Sequence, residues 1–310
     1  MFENHTVAVV IPSYKVSKHL KYVAQSIPNF VDFIIIVDDS CPEKSYKVLN
    51  ESEKIFIIRH ESNLGVGGAV VSGYKKAINL NADYVVKIDG DGQMDINYMS
   101  KLLEPLVKDE ADYTKGNRFL NLSALRSMPK IRLFGNSALS FMVKASSGYW
   151  NIMDPTNGYT AISSKVLHQL NLNSLAKRYF FESDMLINLN IQGYVVKDVS
   201  IPAIYGNETS SLSVIRTLFE FPYKLFNGLI KRIFYRYFLY DFNMASVYIL
   251  FGLPMLMFGA VFGFYRWYVA VEYGVDNPTG TIMLSVLSII LGIQFLLQAI
   301  SIDIANIPKK

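Results

Sequence analysis

Tyr84-Val85-Val86-Lys87-Ile88-Asp89-Gly90-Asp91-Gly92-Gln93 is the stretch from which the fold of this chain can be read. A short run of β-branched residues gives way at once to carboxylates and glycines. The run reads as a strand covered on both faces, because strands flanked by crossover helices are close to continuously apolar. The acidic turn then falls at the strand's carboxyl end, where open α/β sheets bind their ligands. Asp89, Asp91 and Gln93 gather two carboxylates and an amide oxygen, hard donors suited to Mg²⁺ or Mn²⁺. An ion held there would bridge two phosphates and neutralise the charge on a departing diphosphate. D-x-D alone also describes an ordinary acidic turn, and its place after a buried strand favours the metal.

Working outward, residues 6–11, 33–37, 55–59 and 112–115 read as four more strands, most of them largely apolar, separated by polar, helix-compatible stretches. Alternation of this kind predicts a Rossmann-like α/β fold with a mostly parallel, doubly wound sheet over residues 1–211. The residues just past the strands should line one cleft. Pro12 and Tyr14 offer an aromatic face to a base. Asp38 and Asp39 can accept hydrogen bonds from a uracil or guanine edge or from ribose hydroxyls; alternatively Asp39 or Ser40 caps a helix. Gly65 and Gly67 precede a helix expected at 69–80, whose first amides would meet phosphate or sugar oxygens. A dinucleotide fingerprint would need its glycines after the first strand, and none are there.

Composition accounts for the rest of the 310 residues: 51% are hydrophobic, and the mean hydropathy is +0.23, high for a protein that must clothe its whole surface in polar groups. The excess lies in residues 242–265 and 279–302, both free of Asp, Glu, Lys and Arg. A bilayer core needs about 20 helical residues, so each run reads as a membrane span. Between them, 266–278 holds one Arg against Glu272 and Asp276, whereas Lys309 and Lys310 follow the second. The positive-inside rule places the large domain and the tail in the cytoplasm. No signal-peptide pattern precedes the first strand. Residues 212–241 carry apolar side chains at helical spacing, with Arg232 and Arg236 along the edge of the stripe, and read as basic amphipathic helices on the membrane surface, interrupted at Pro222. Cys41 is the single cysteine, which excludes internal disulfides and cysteine-rich zinc sites. A net charge of +4 without a Lys/Arg-dense run gives no nucleic-acid surface. The oligomeric state stays open, a homo-oligomer included.

The motifs IPSYK, VDDS, NLGVGGAVVSGYKKA, DGDGQ, GNRF, DPTNGY and FESDM, in this order and followed by two spans, resemble the family 2 glycosyltransferases of GT-A type, and among them the polyprenyl-phosphate group. The resemblance implies that Asp38 and Asp39 bind the nucleoside of a UDP- or GDP-linked sugar and that Asp89, Gly90, Asp91 and Gln93 serve the metal and diphosphate. It implies that Arg118 and Arg132 engage an acceptor phosphate, with Asn136, Asp154 and Glu182 on the acceptor side. Two departures stand out. Lys15-Val16 replaces the usual Asn-Glu after the first-strand Tyr, and the Tyr205-Gly206-Asn207-Glu208 segment lacks an Arg often found there.

The reaction expected is an inverting displacement by a polyprenyl phosphate oxygen on the anomeric carbon, in which Asp91 and Arg118 take part. A phosphate monoester is already mostly dianionic at neutral pH and needs steering rather than deprotonation. The alternative acceptor is a hydroxyl of a lipid-linked saccharide in cell-surface polysaccharide synthesis, which needs a general base; Asp184 is the residue chosen for it.

Overall fold

Val7–Ser13 (β1) alternates its side chains between two covered faces, and every residue of it but Pro12 is buried. Val7, Val9 and Ile11 pack with Leu20 and Val23 of one helix, α1 (Ser17–Ser26), and with Met99, Leu102, Leu103 and Leu106 of another, α3 (Met99–Val107). Val10 on the opposite face meets α2 (Val66–Asn79), where Gly73 lets the helix come close. Successive strand side chains point to opposite faces, so helices on both sides are what an all-apolar strand requires.

The computed structural model describes the backbone of residues 1–119, 130–202 and 214–310, and the side chains of these except 130–136 and 214–219. Two compact units emerge: Met1–Arg232 together with Pro308–Lys310, and Ile233–Ile307. In the first, β1 is joined by β2 (Phe33–Asp38), β3 (Ile55–Arg59), β4 (Tyr84–Lys87), β5 (Tyr113–Asn117), β6 (Thr160–Ser163) and β7 (Val196–Ser200) in one sheet, ordered β3-β2-β1-β4-β6-β5-β7. All pairings are parallel except those of β6, which runs antiparallel to both neighbours. The five expected strands are present with ends displaced by a residue or two. Neither β6 nor β7 was foreseen: Thr-Ala-Ile-Ser is too short to stand out from its loop, and Val-Lys-Asp-Val-Ser carries two charges on a partly exposed strand.

Four further helices complete this unit: α4 (Lys130–Ser147), α5 (Ser164–Gln169), α6 (Phe181–Ile191) and most of α7 (Val214–Phe234). Helix α7 runs unbroken through Pro222, correcting the interruption expected there: a proline removes one N–H donor and crowds the carbonyl one turn back, which can bend a helix without ending it. Arg232, expected along the edge of a basic face, is buried instead. Its Nε donates to the Ser146 carbonyl at 2.9 Å and its Nη2 to that of Ala145 at 3.0 Å. A guanidinium thus satisfies the orphan carbonyls and the negative dipole end of α4. Gly148 ends α4 with φ of 75°, and a Cβ there would lie 2.6 Å from the same guanidinium. The other side of α7 leaves Tyr223, Phe226 and Ile230 exposed.

The second unit is a helical hairpin of α8 (Met244–Tyr273) and α9 (Thr279–Ala305), preceded by one π-helical segment, Tyr235–Tyr240. Both helices are long and apolar enough to cross a membrane, with mean hydropathies of 2.1 and 2.2. They extend beyond the spans read from the uncharged runs because Arg266 and Asp303 are carried inside them. Ser285 Oγ donates to the Gly259 carbonyl at 2.8 Å, a close approach of small residues that suits packing in lipid. Near one end of the hairpin, Tyr237 Oη donates to Asp303 at 2.6 Å, and at the other Arg266 Nε donates to Asn277 at 3.1 Å.

Candidate active site

The carboxyl ends of β1, β2 and β4 meet in a cleft of about 330 Å³. Its walls include Pro12, Ser13 and Tyr14 after β1, Asp39 after β2, Asn63 and Gly65 before α2, and Asp89, Gly90 and Asp91 after β4. Seven residues singled out in the sequence for the donor and its metal thus share one cavity, Pro12, Tyr14, Asp39, Gly65, Asp89, Gly90 and Asp91. Arg178 and Tyr179, which sequence reasoning passed over, stand in the same wall.

Each acidic position has its own local cause. Asp39 accepts from the amides of Leu64 at 2.8 Å and Gly65 at 2.7 Å and pairs with His60 Nδ1 at 2.8 Å, while His60 Nε2 meets Ser72 Oγ at 2.8 Å. It therefore ties the end of β2 to the turn before α2. Asp38 lies buried beside it, with Oδ1 accepting the Cys41 amide at 3.0 Å. Asp38 Oδ2 and the neighbouring Ser13 Oγ are buried without a hydrogen-bond partner. The two residues are direct partners across β1 and β2. A buried polar atom without a partner is costly, so such a pair beside a cleft is what a bound polar ligand would satisfy.

In the acidic turn, Asp91 Oδ1 accepts the Gln93 amide at 3.0 Å, and Gly92 supplies φ of 75°. The Asp89 side chain is 34% exposed, and its Oδ1 pairs with Lys87 Nζ at 2.8 Å. Lys87 is buried and reaches Glu182 on α6 at 3.3 Å as well. Burial pulls its pKa down, but Asp89 and Glu182 outweigh burial and hold the ammonium charged, above the ordinary lysine range. Lys87 thus links a proposed metal ligand to a proposed acceptor-side carboxylate, and its one sequence signal is a lysine inside an apolar strand. For the fit of a divalent cation, the turn offers two carboxylates in an open cleft and Gln93 adjoining them, a donor set of the right hardness.

Of the acceptor-side residues, Arg118, Asp154 and Glu182 do not line this cleft, although Glu182 reaches it through Lys87. Arg118 makes a two-pronged pair with Asp154, Nε at 2.8 Å and Nη2 at 3.1 Å; the carboxylate is fully buried and the guanidinium 38% exposed. Asn157 Nδ2 also donates to Asp154, at 3.3 Å, and the buried Lys115 donates to the Asn157 carbonyl. Burial drives Lys115 down to about 8, against the pull of Glu182 and Asp154. Asp184, on α6, accepts the Ala176 amide at 2.8 Å and Asn188 Nδ2 at 3.1 Å, and burial raises its carboxyl above the usual range. It holds the 176–179 loop, which presses on α2: a Cβ at Gly67 would lie 2.2 Å from the Ala176 carbonyl, and the Gly68 amide donates to Lys177 at 2.9 Å. Gly67 is therefore a point of backbone contact, and one of the amides at the start of α2 is taken by that loop. Arg132 and Asn136 are in α4, with side chains outside the described residues, and Tyr205 to Glu208 lie wholly outside them.

A mostly parallel sheet with this cleft is the GT-A arrangement. Glucosyl-3-phosphoglycerate synthase from Mycobacterium tuberculosis, solved with Mn²⁺, uridine diphosphate and glucosyl-3-phosphoglycerate, superposes at a TM-score of 0.54 and 17% identity, covering 74% of this chain and 80% of that one. Residues 8–170 match the model of glycosyl transferase family 2. The chain belongs to that family and is a glycosyltransferase dependent on nucleotide sugars. Among its relatives, UDP-N-acetylglucosamine–dolichyl-phosphate N-acetylglucosaminyltransferase of Methanococcus voltae is 34% identical, over 64% of this chain and 85% of the relative. Dolichol-phosphate mannosyltransferase of Pyrococcus furiosus is 26% identical, over 69% of this chain and 61% of the relative.

Proposed function

We propose that this enzyme transfers a sugar from a UDP- or GDP-linked donor to a polyprenyl phosphate, with inversion, at the cytoplasmic face of a membrane. The observation that carries the reading is the single cleft in which Asp89 and Asp91 share walls with Tyr14 and Asp39. The partnerless Ser13 Oγ and Asp38 Oδ2 support a nucleoside bound there. Asp89, Asp91 and Gln93 would hold Mg²⁺ or Mn²⁺, which when bound supplies positive charge to the leaving diphosphate.

Arg118, oriented by buried Asp154, attracts the acceptor phosphate, and Arg132 and Asn136 of α4 join it. The phosphate oxygen attacks the anomeric carbon as the bond to the diphosphate breaks. Because Asp184 is engaged by Ala176 and Asn188, and Glu182 by Lys87, the carboxylates near the acceptor side are committed to the protein's own groups. This favours an acceptor that arrives ionised over a hydroxyl that needs a base. The two apolar helices and the exposed Tyr223, Phe226 and Ile230 of α7 support contact with lipid, and the relatives acting on lipid-linked phosphates agree.

Purified protein incubated with UDP- and GDP-sugars, polyprenyl phosphate and Mn²⁺ should yield a glycosylated lipid detected by mass, and EDTA should abolish it. Transfer only to saccharide hydroxyls, or turnover untouched by EDTA, would refute this reading.

A further inference from the structure

The donor cleft holds three carboxylates, Asp39, Asp89 and Asp91, and among its described lining residues Arg178 is the only cation. A diphosphate entering such a cavity meets like charge, and a divalent ion bound by the acidic turn offsets part of it. We propose that Arg178 is a diphosphate-binding residue that clamps the donor from the wall opposed in charge to the acidic turn. The assignment deepens the donor reading given above and rests on it.

The surroundings of Arg178 are built for this. The Asp184 carboxylate anchors Ala176, the Lys177 carbonyl accepts the Gly68 amide at 2.9 Å, and the Arg178 carbonyl accepts the Phe181 amide at 2.9 Å. The backbone on both sides is thus pinned to α2 and α6. The aliphatic stem lies against Gly65, where a Cβ would come within 2.8 Å of Arg178 Cγ. Gly65 has φ of 86°, so that position combines a close approach with a conformation glycine favours. The guanidinium itself has no hydrogen-bond or ion-pair partner among the described residues, unlike those of Arg118 and Arg232, which are committed to Asp154 and to the end of α4. A planar fork on a fixed stem, left unpaired beside carboxylates, is suited to gripping a phosphate in two-pronged fashion. Asp184 acts through the same loop as a positioning residue.

The test is titration of the detergent-solubilised full chain, as wild type, Arg178→Ala and Arg178→Lys, with UDP, UMP, GDP and GMP in Mn²⁺. Arg178→Ala should weaken the diphosphate by roughly tenfold to a hundredfold. The preference for diphosphate over monophosphate should fall with it, and Arg178→Lys should recover part. Thermal melting checks that the exposed substitution leaves the fold intact. An unchanged preference in Arg178→Ala would overturn the assignment while leaving the donor cleft standing. Wild-type protein that binds neither UDP nor GDP would overturn the donor reading, and this assignment with it.

Discussion

Arg118 and Asp154 form a pair in which the two partners are not equivalent. The carboxylate is fully buried and the guanidinium partly exposed. Arg118→Ala strands a buried charge and should destabilise the fold by about 3 kcal/mol; Asp154→Asn leaves a cation that water can reach and should cost less, while raising the acceptor KM. Chemical denaturation of both variants checks the asymmetry. Lys115 gives a dependence on pH. Its folded pKa of about 8 lies below the 10.5 of an ordinary lysine, so the unfolded chain binds more protons between those values. Stability should therefore be penalised in full below pH 8 and recover as pH rises toward 10.5, by up to about 3 kcal/mol. In Lys115→Met, urea midpoints measured over that interval should lose this part of the slope. That the acidic turn would line a cleft was legible because it follows an apolar run at a strand's carboxyl end. Lys87, Lys115 and Arg178 were not, because a lysine in a strand or an arginine in a loop takes its meaning from what folds against it.

At the scale of elements, the meeting of α2 with the 176–179 loop leaves no room for a side chain. Gly67→Ala sets a methyl against the Ala176 carbonyl and should displace the loop that carries Arg178. A donor KM raised about tenfold with an unchanged acceptor KM is the expected signature in steady-state assays. Strands β1, β2 and β4 could be read from their hydrophobic runs, since a doubly covered strand writes its burial into nearly every residue. The reversed β6 could not, because strand direction is set by pairing with β4 and β5, contacts absent from local pattern. The burial of Arg232 was likewise decided by tertiary packing, against the end of α4.

For the molecule as a whole, membrane topology is the property most open to test. With Cys41 replaced by Ser, a cysteine introduced at Asp276 should react with an impermeant maleimide added to intact cells, and one at Lys309 should not. Equal labelling of both would refute a cytoplasmic catalytic domain.

The chain leaves its first unit at Ile233 and rejoins it at Pro308, and Lys310 there pairs with Asp109 and, at 2.9 Å, with Asp112. Since synthesis proceeds from the N-terminus, the hairpin emerges from the ribosome before this closing strap does. Final closure of the first unit therefore waits on synthesis of the whole hairpin, and a chain cut short within those helices would lack the strap.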